Sequence, residues 1–327
     1  MRNKITRRAF CSMLLVLPFP ARAQRPTKIP RIGSLFVTTP PAVSARREAF
    51  RQGLRELEYV EGKNIFVDYR YADGKTDRLP ALAAELVRLQ VDIIVTAGSP
   101  STRAAKEATA TIPIVMTRDG DPVGNGFVAS LARPGGNITG LSTLNPELSG
   151  KRLELLRETV PKLSRVAVFG ASTRPGNAQS LKEVELVAAA FKVKLQNLDV
   201  LDPKDIETAF RAAGKGRAEA VLTLVGPVLA SHRTQVVALA IKSRLPAIYE
   251  RSDFVEDGGL MSYGPNFTDL DRRAAVYVDK ILKGRPPTDL PVEQPMRFEF
   301  VISLPAAKKI GLTIPPNVLV RADRVIR

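Results

Sequence analysis

Short apolar runs alternate with longer stretches of helical periodicity in the first half of the chain. The runs are "RIGSLFV" (31–37), "NIFVDYRYA" (64–72), "VDIIVTAG" (91–98) and "IPIVMTRDGD" (112–121). The stretches between them predict helices over 45–57, over 77–89 and from Thr102 onward. Apolar runs bounded by Gly, Pro and Asp are typical of strands buried on both faces. Their alternation with helices predicts a parallel sheet covered on both sides.

The second half repeats this order. The runs are "RVAVFGAS" (165–172), "KLQNLDV" (194–200), "EAVLTLVGP" (219–227) and "LPAIYERSDF" (245–254), with predicted helices over 177–191, 205–213 and 231–243. Two copies of one strand–helix pattern predict an α/β protein with two Rossmann-like lobes, each built on a parallel sheet.

The pattern changes after Gly259. "LMSYGP" predicts a strand, Thr268–Leu282 predicts an amphipathic helix, and a proline-rich stretch follows. Three segments could link the lobes: 142–148, 251–259 and 284–295. The predicted lobes are 28–145 with 260–284, and 146–259 with 285–327. Three crossovers predict a hinged pair with a cleft between the lobes.

Six turns follow the predicted strands, and they are rich in hydroxyls, Gly and Asn. They lie at 34–38, 97–101, 117–121, 170–177, 224–227 and 249–253. In open parallel sheets, ligands bind beyond the carboxyl ends of the strands, where helix N-termini also point. The six turns therefore predict a site for a small polar ligand, although hydroxyls at such places also cap helices.

The sequence offers little support for a catalytic function. Ser99 lies in "AGSPS", which is not G-x-S-x-G, and Pro100 removes a backbone N–H where a nucleophile elbow would need one. The only histidine, His232, begins a polar helix, where we expect a surface role. We expect no enzyme activity, no cofactor and no metal site, and a hydrolase that uses Ser99 is the weakest alternative.

The N-terminus changes the expected location. A basic segment, an apolar stretch and Ala21-Arg22-Ala23 predict a secretory signal over 1–23, cleaved near Ala23. The twin arginines Arg7 and Arg8 favour the Tat route over Sec. Cleavage would remove Cys11, the only cysteine. We therefore expect a periplasmic protein without disulfides, which meets the membrane only through a partner.

The net charge of +16 at pH 7 includes five basic residues in that leader. The remaining excess is spread along the chain without a basic run, so we expect no nucleic-acid partner.

Charged residues in the turns suggest one kind of ligand. An amino acid would need an acceptor for its ammonium, which Asp119 could supply, and donors for its carboxylate, which Ser99 and Thr117 could supply. Alternatively, Arg118, Asp119, Asp121, Arg251 and Asp253 could pair with one another at the cleft rim.

Several longer stretches resemble the ABC-transporter substrate-binding proteins typified by bacterial tryptophan- and tyrosine-binding proteins. They are "AFRQGLRELEYVEGKNIFVDYRYADGKTDRLPALAAELVRLQVDIIVTAG", "DPVGNGFVASLARPGGNITGLS", "KRLELLRETVPKLSRVAV", "FVEDGGLMSYGPNFTDLDRRAAVYVDKILKG" and "KKIGLTIPP". The resemblance implies a type I periplasmic-binding fold and a permease with its ATPase as partners. It also implies that the turns at Ser99–Ser101 and Thr117–Asp119 hold a ligand carboxylate. The turn "GASTRPGNA" departs from the family pattern by adding Arg174, which leaves open whether the ligand is an aromatic amino acid or a small carboxylate.

Together these observations predict a monomeric solute-binding protein that delivers its ligand to an ABC permease. The alternative is a sensor module that presents its closed state to a membrane receptor. The candidate ligand-binding residues are Ser34, Phe36, Ser99, Ser101, Thr117, Asp119, Asn177, Tyr249 and Tyr263.

Overall fold

The structure is a computed structural model that describes residues 28–173, 175–295 and 297–327. The predicted leader, with Arg7, Arg8 and Cys11, and the inserted Arg174 lie outside the described residues. No helix in the described ranges is long and apolar enough to cross a membrane.

The first lobe is built on a five-stranded parallel sheet of order β2-β1-β3-β4-β5. Its strands are β1 (Arg31–Phe36), β2 (Phe66–Tyr71), β3 (Ile93–Ala97), β4 (Ile114–Asp119) and β5 (Ile138–Ser142). Its helices are α1 (Ser44–Glu56), α2 (Leu79–Arg88), α3 (Ser99–Ala108) and, from later in the chain, α10 (Phe267–Leu282).

The second lobe contains a seven-stranded sheet of order β12-β11-β10-β9-β8-β6-β7. Its strands are β6 (Arg165–Gly170), β7 (Lys194–Asp199), β8 (Ala220–Thr223), β9 (Ala247–Tyr249), β10 (Met261–Pro265), β11 (Phe298–Ser303) and β12 (Arg324–Ile326). Its helices are α4 (Asn145–Thr159), α5 (Pro175–Phe191), α6 (Asp205–Lys215), α7 (Pro227–Ser231), α8 (Arg233–Lys242), α9 (Asp253–Glu256), α11 (Leu304–Ile310) and α12 (Pro316–Leu319). β10 and β11 pair antiparallel, so this sheet is only mostly parallel.

Both faces of each sheet are buried, as the continuous apolar runs predicted. In the first lobe, Leu35 and Ile94 belong to the core on one face, while Ile32 and Ile93 belong to the core on the other. Each fully buried aliphatic side chain contributes about 1.5–3 kcal/mol. The two faces therefore hold the sheet rigid beneath the turns at its carboxyl edge.

The lobe boundaries differ from those predicted. Residues 260–265 were assigned to the first lobe, but β10 pairs with β9, with Met261 opposite Ile248, so the chain stays in the second lobe until Pro265. The predicted link 251–259 is wrong for the same reason, because it contains α9 within the second lobe. The segment after 285 first stays with the first lobe, where Leu290 packs into its core and Glu293 N–H donates to the Gly140 carbonyl at 3.0 Å.

The chain therefore crosses between lobes at three places close to one another. The first crossing, residues 143–144, joins β5 to α4. The second, Asn266, joins β10 to α10, and the third, after Glu293, leads to β11. The first and third overlap the predicted links, and the expected hinge would consist of these three crossings.

Gly53 allows α1 and α10 to pack closely. A Cβ at Gly53 would clash with the Arg272 carbonyl and lie 2.9 Å from the Ala275 Cβ. Gly53 does not end α1, which continues to Glu56, and it instead allows this close helix contact.

We expect Gly53→Ala to lower the free energy of unfolding by about 2 kcal/mol, because overpacking outweighs the better helix propensity of Ala. Gly214→Ala is the matched control. Nothing lies within 4 Å of a Cβ there, so it should stabilise the protein by about 0.5 kcal/mol. Urea unfolding of both variants measures the difference, and equal stabilities would contradict the close α1–α10 contact.

Candidate ligand-binding site

A cavity of about 320 Å³ lies between the lobes, within the usual size range of small-molecule sites. All six turns predicted from the strand ends contribute to its wall. The lining residues are Phe36, Val37, Thr38, Arg46, Thr76, Ala97, Gly98, Ser99, Pro100, Arg103, Arg118, Gly120, Asn125, Asn145, Gly176, Asn177, Ser180, Val225, Gly226, Pro227, Ala230, Arg251 and Phe267.

The rims of the two lobes meet at the mouth of the cavity. A Cβ at Gly74, in the first lobe, would lie 4.0 Å from the Ser231 hydroxyl of the second lobe. Their neighbours Thr76 and Ala230 both line the cavity. The lobes are therefore in a closed arrangement.

The first turn of α3 forms one wall. Gly98 has φ 90°, which lets the chain turn sharply from β3 into the helix, and α3 begins at Ser99, three residues before the predicted start. The N–H groups of Ser99 and Ser101 have no acceptor within the helix, and the positive end of the helix dipole lies there too. This wall suits a carboxylate.

Ser99 belongs to a hydrogen-bonded network behind that wall. The Asn125 Nδ2 donates to the Ser99 Oγ at 3.2 Å and to the Asp119 Oδ1 at 2.9 Å. The Asp121 N–H donates to the same carboxylate oxygen at 3.0 Å. Burial raises the pKa of Asp119, although its hydrogen bonds with Ser99, Asn125 and Asp121 lower it. Asp119 therefore positions Asn125 and Ser99 and does not itself face the ligand space.

Four arginines line the cavity, while no Asp or Glu of the described residues does. Arg118 is paired with Asp271 at 3.0 Å, and Arg251 with Asp253 at 2.9 Å. The Arg46 guanidinium donates to the Ala42 carbonyl at 3.0 Å, and Arg103 donates to the Asn125 carbonyl at 3.3 Å. The wall is therefore electropositive, with two of its four cations neutralised from behind.

Burial sets the electrostatics of this cluster. It lowers the pKa of Arg46 well below its usual value, and the nearby Arg118 and Arg251 lower it further. The pKa of Arg118 is also lowered, first by burial, against the effect of Asp271. Asp253 and Glu250 raise the pKa of Arg251 despite its burial. An anion in the cavity would restore favourable surroundings to Arg46 in particular.

The rest of the wall is mainly apolar, and a buried acceptor lies at one side of it. Phe36 stacks on Tyr71 at 5.5 Å between ring centroids, and Phe267 lies under Arg118 and Arg251. The Asn145 Oδ1, at the first hinge crossing, is buried without a hydrogen-bond partner among the described residues. The cavity thus offers donors and positive charge, an apolar space and an acceptor.

Three of the nine candidate residues line the cavity: Phe36, Ser99 and Asn177. With its side-chain amide oriented to satisfy both atoms, Asn177 donates to the Val225 carbonyl and accepts from the Ala171 N–H, each at 2.9 Å. It therefore ties together two second-lobe turns.

The other six candidates lie behind the wall. Ser34, Ser101, Thr117 and Asp119 are buried in the first lobe, within strands or on the inner face of α3. Neither the Ser101 nor the Thr117 hydroxyl has a hydrogen-bond partner among the described residues. Alternate residues at a strand end point to opposite faces, so only some residues of each turn reach the cleft.

Tyr249 and Tyr263 do not line the cavity either. Tyr249 is fully buried and stacks on Phe254 at 4.6 Å, and Tyr263 packs on the second-lobe core beside Phe300. Their aromatic rings complete hydrophobic cores, and the sequence pattern alone did not separate that role from ligand contact.

None of the four arginines was among the candidate ligand-binding residues. Arg118 and Arg251 were noted as turn charges, and the pairing of Arg251 with Asp253 agrees with the alternative that these charges neutralise one another. Arg46 and Arg103 lie within helices whose sequences have an amphipathic pattern, in which basic residues usually face solvent. Their position could have identified them, since both lie in the first helical turns after the end of a strand.

Residues 32–326 match the family model described as ABC transporter substrate binding protein. The chain belongs to this family. In Clostridioides difficile (strain R20291), a relative named "Tyrosine-binding protein" is 26% identical over 292 residues, which cover 86% of this chain and 81% of that protein.

Solved structures agree in fold with this family member. A conserved domain protein from Vibrio cholerae is 30% identical with a TM-score of 0.86, and the match covers 91% of this chain and 100% of that one. An ABC domain from Streptococcus pneumonia in complex with L-Trp is 26% identical with a TM-score of 0.82, and the match covers 90% of this chain and 100% of that one. The fold is that of type I periplasmic-binding proteins.

In the part of the chain that the structure describes, neither the histidine nor a cluster of metal-binding side chains lies at the cavity. His232 lies outside the cavity lining, where its Nδ1 lies 3.1 Å from the Val228 carbonyl. No group of three His, Cys, Asp or Glu residues in the described ranges is placed to hold a metal ion.

Proposed function

We propose that this substrate-binding protein captures a small organic carboxylate with an apolar body outside the cytoplasm and delivers it to an ABC permease. The observation that carries the proposal is the cavity wall, which combines four arginines with no carboxylate among its described residues. A wall of this charge favours an anionic ligand group over a cationic one.

The orientation of the ligand follows from the wall. Its carboxylate would meet the arginines and the first turn of α3, and its apolar body would lie against Phe36, Val225 and Pro227. A donor group on the ligand would form a hydrogen bond with the Asn145 Oδ1, which has no partner among the described residues. Tyrosine and tryptophan, named with the two relatives, have this combination of groups.

The described cavity wall has no carboxylate that could bind the ammonium group of such amino acids. Asp119 was expected to accept it, but Asp119 is fully buried and does not line the cavity. The remaining acceptors on the described wall are uncharged: the Asn145 Oδ1, hydroxyl groups such as that of Ser99, and backbone carbonyls. The carboxylate should therefore contribute more to affinity than the ammonium does.

Two matched ligand triplets test this order by isothermal titration calorimetry. They are L-tryptophan, indole-3-propionate and tryptamine, and L-tyrosine, 3-(4-hydroxyphenyl)propionate and tyramine. We expect at least one deaminated acid to bind within about tenfold of its amino acid. The amines, which lack the carboxylate, should bind at least about a hundredfold more weakly, because charge-assisted hydrogen bonds contribute about 1.5–3 kcal/mol each.

Two outcomes would overturn the proposal. One is an amine that binds as tightly as its amino acid, and the other is the absence of binding by all four acids. If the amino acids bind and the deaminated acids do not, the protein recognises the whole zwitterion and not the carboxylate alone.

A further inference from the structure

One aromatic ring, that of Phe267, contacts an arginine from each lobe at the cavity wall. The Arg118 Cζ lies 5.1 Å, and the Arg251 Cζ 5.7 Å, from the centroid of this ring. Arg118 belongs to β4 in the first lobe, whereas Arg251 follows β9 in the second. All three residues line the cavity. The ring therefore links arginines that the two lobes contribute separately.

The first turn of α10 fixes the ring in the first lobe. Phe267 begins this helix, directly after the second crossing, and packs against the first-lobe core. The Asn266 side chain caps the helix by accepting from the Asp269 N–H at 3.1 Å. Four residues after Phe267, and on the same side of the helix, Asp271 pairs with Arg118 at 3.0 Å. One face of α10 thus holds Arg118 by a ring and a carboxylate.

Arg251 is held from both lobes. Its Nε donates to the Asp253 Oδ1 at 2.9 Å, and its Cζ lies 5.5 Å from the centroid of the Phe254 ring, both within the second lobe. Phe267 adds a contact from the first lobe. The position of the Arg251 guanidinium at the cavity wall therefore depends on a side chain from each lobe.

The contact between Arg251 and Phe267 lies close to the second crossing. Gly264, two residues before that crossing, is packed so closely against the Arg251 turn that a Cβ there would clash with the Glu250 carbonyl. Phe267 directly follows the same crossing. Because rotation about a hinge moves atoms least near its axis, we expect this contact to persist when the lobes open.

An aromatic ring can hold a guanidinium without using its N–H donors. The attraction of the cation to the ring face is stronger when both are shielded from water. Among the described residues, no acceptor lies on the Arg118 Nη2 or on the Arg251 Nη1, since Asp271 and Asp253 accept from other nitrogens. These donors remain available to an anion in the cavity.

We propose that Phe267 is a positioning residue, which directs Arg118 and Arg251 toward the carboxylate of the ligand before the lobes close. The identification of that carboxylate rests on the proposed function, whereas the contact of the ring with Arg251 does not.

NMR spectroscopy tests the contact in protein freed of ligand by unfolding and refolding. The Arg251 Nε–H is bonded to Asp253 and should give a resolved side-chain resonance, which Arg251→Lys assigns. Phe267→Leu should shift this resonance, because the ring current is lost, while Phe267→Tyr should shift it much less. A resonance that Phe267→Leu leaves in place would overturn the proposal, even if carboxylates bind.

Ligand selectivity tests the positioning role by calorimetry. The probes are L-tryptophan with L-tryptophanamide, and L-tyrosine with L-tyrosinamide, in which the amide replaces the carboxylate. Phe267→Leu should lower the ratio of acid affinity to amide affinity about tenfold, because both guanidinium groups lose the ring that holds them. Phe267→Tyr, which keeps the ring, should retain the ratio.

The matched control is Phe191→Leu. The Arg157 Cζ lies 4.2 Å from the centroid of the Phe191 ring, and neither residue is in the described cavity lining. The same substitution should therefore leave both the Arg251 resonance and the affinity ratio unchanged.

The two readouts separate this proposal from the proposed function. Equal losses of acid and amide affinity in Phe267→Leu would show that the ring only contacts the apolar body of the ligand, which would overturn the positioning role. If the wild type binds none of the acids, the proposed function fails, and the Arg251 resonance alone decides whether Phe267 holds the arginine.

Discussion

Replacing Arg152 with Met should lower the free energy of unfolding at pH 7 by about 4 kcal/mol, because it removes one of the two cations that compensate a buried carboxylate. Arg152 is fully buried on α4. Its Nε donates to the Tyr263 carbonyl at 2.7 Å, and its Nη1 donates to the Ser149 Oγ at 3.2 Å. It thereby ties the helix after the first crossing to the strand before the second.

The carboxylate that depends on Arg152 is Glu250. Its Oε2 accepts from the Thr223 hydroxyl at 2.9 Å, while its Oε1 has no partner among the described residues. Burial raises the pKa of Glu250, and Arg251 and Arg152 lower it. Burial in turn lowers the pKa of Arg152 to about 10, which leaves it charged at pH 7.

The difference in stability between the wild type and Arg152→Met depends on pH. Without Arg152, the folded-state pKa of Glu250 rises further above its unfolded value, so stability is lost as the pH rises and the buried group ionises. The gap between wild type and Arg152→Met should therefore narrow when urea unfolding is repeated at pH 5. Lys151→Met, next to it but half-exposed and paired only with Glu154, should cost less than about 0.5 kcal/mol. A gap that does not change with pH would show that Arg152 acts through its hydrogen bonds alone.

Asp271→Asn should lower the free energy of unfolding by about 3 kcal/mol. Its carboxylate lies 3.0 Å from Arg118, and the two side chains are only 4% and 9% exposed. Removing one partner leaves a buried, uncompensated guanidinium, which costs more than the pair contributes.

The same helix supplies the control. Asp269 pairs with Arg272 at 3.2 Å in an exposed setting, so Asp269→Asn should cost less than about 1 kcal/mol. The double variant Arg118→Met, Asp271→Asn should be more stable than Asp271→Asn alone, because it removes the orphaned charge. If the double variant is the less stable of the two, the cost does not come from that charge.

The fold was largely predictable because its signals are local. Strands buried on both faces appear as continuous apolar runs, and the amphipathic helix predicted over 268–282 is α10, with Leu270, Ala274, Tyr277 and Val278 buried. The lobe assignment of β10 was not predictable in this way. A strand's partner depends on its neighbours in space, and the run "LMSYGP" does not show that β9 is one of them.

The segments that form the candidate site were predictable from the sequence, but the individual residues that line it were less so. Every predicted turn reaches the cavity, since the carboxyl ends of parallel strands share an edge. Which side chains face the cleft depends on the pleat and on helix rotation, which placed Ser101 inward and Ser99 outward. Arg46 was missed because the cavity that it lines forms only in the fold, where Arg251 of the other lobe, about two hundred residues away, lines it too.

Identification of the compound that the protein carries tests the central claim most directly. Protein purified from its exported fraction without denaturation would be analysed by native mass spectrometry, and the released compound identified in both ionisation modes. We expect a one-to-one complex with an organic acid, and loss of that compound from the Arg46→Gln variant. A bound cation or a neutral polyol, retained equally by the variant, would contradict recognition of a carboxylate by the arginines.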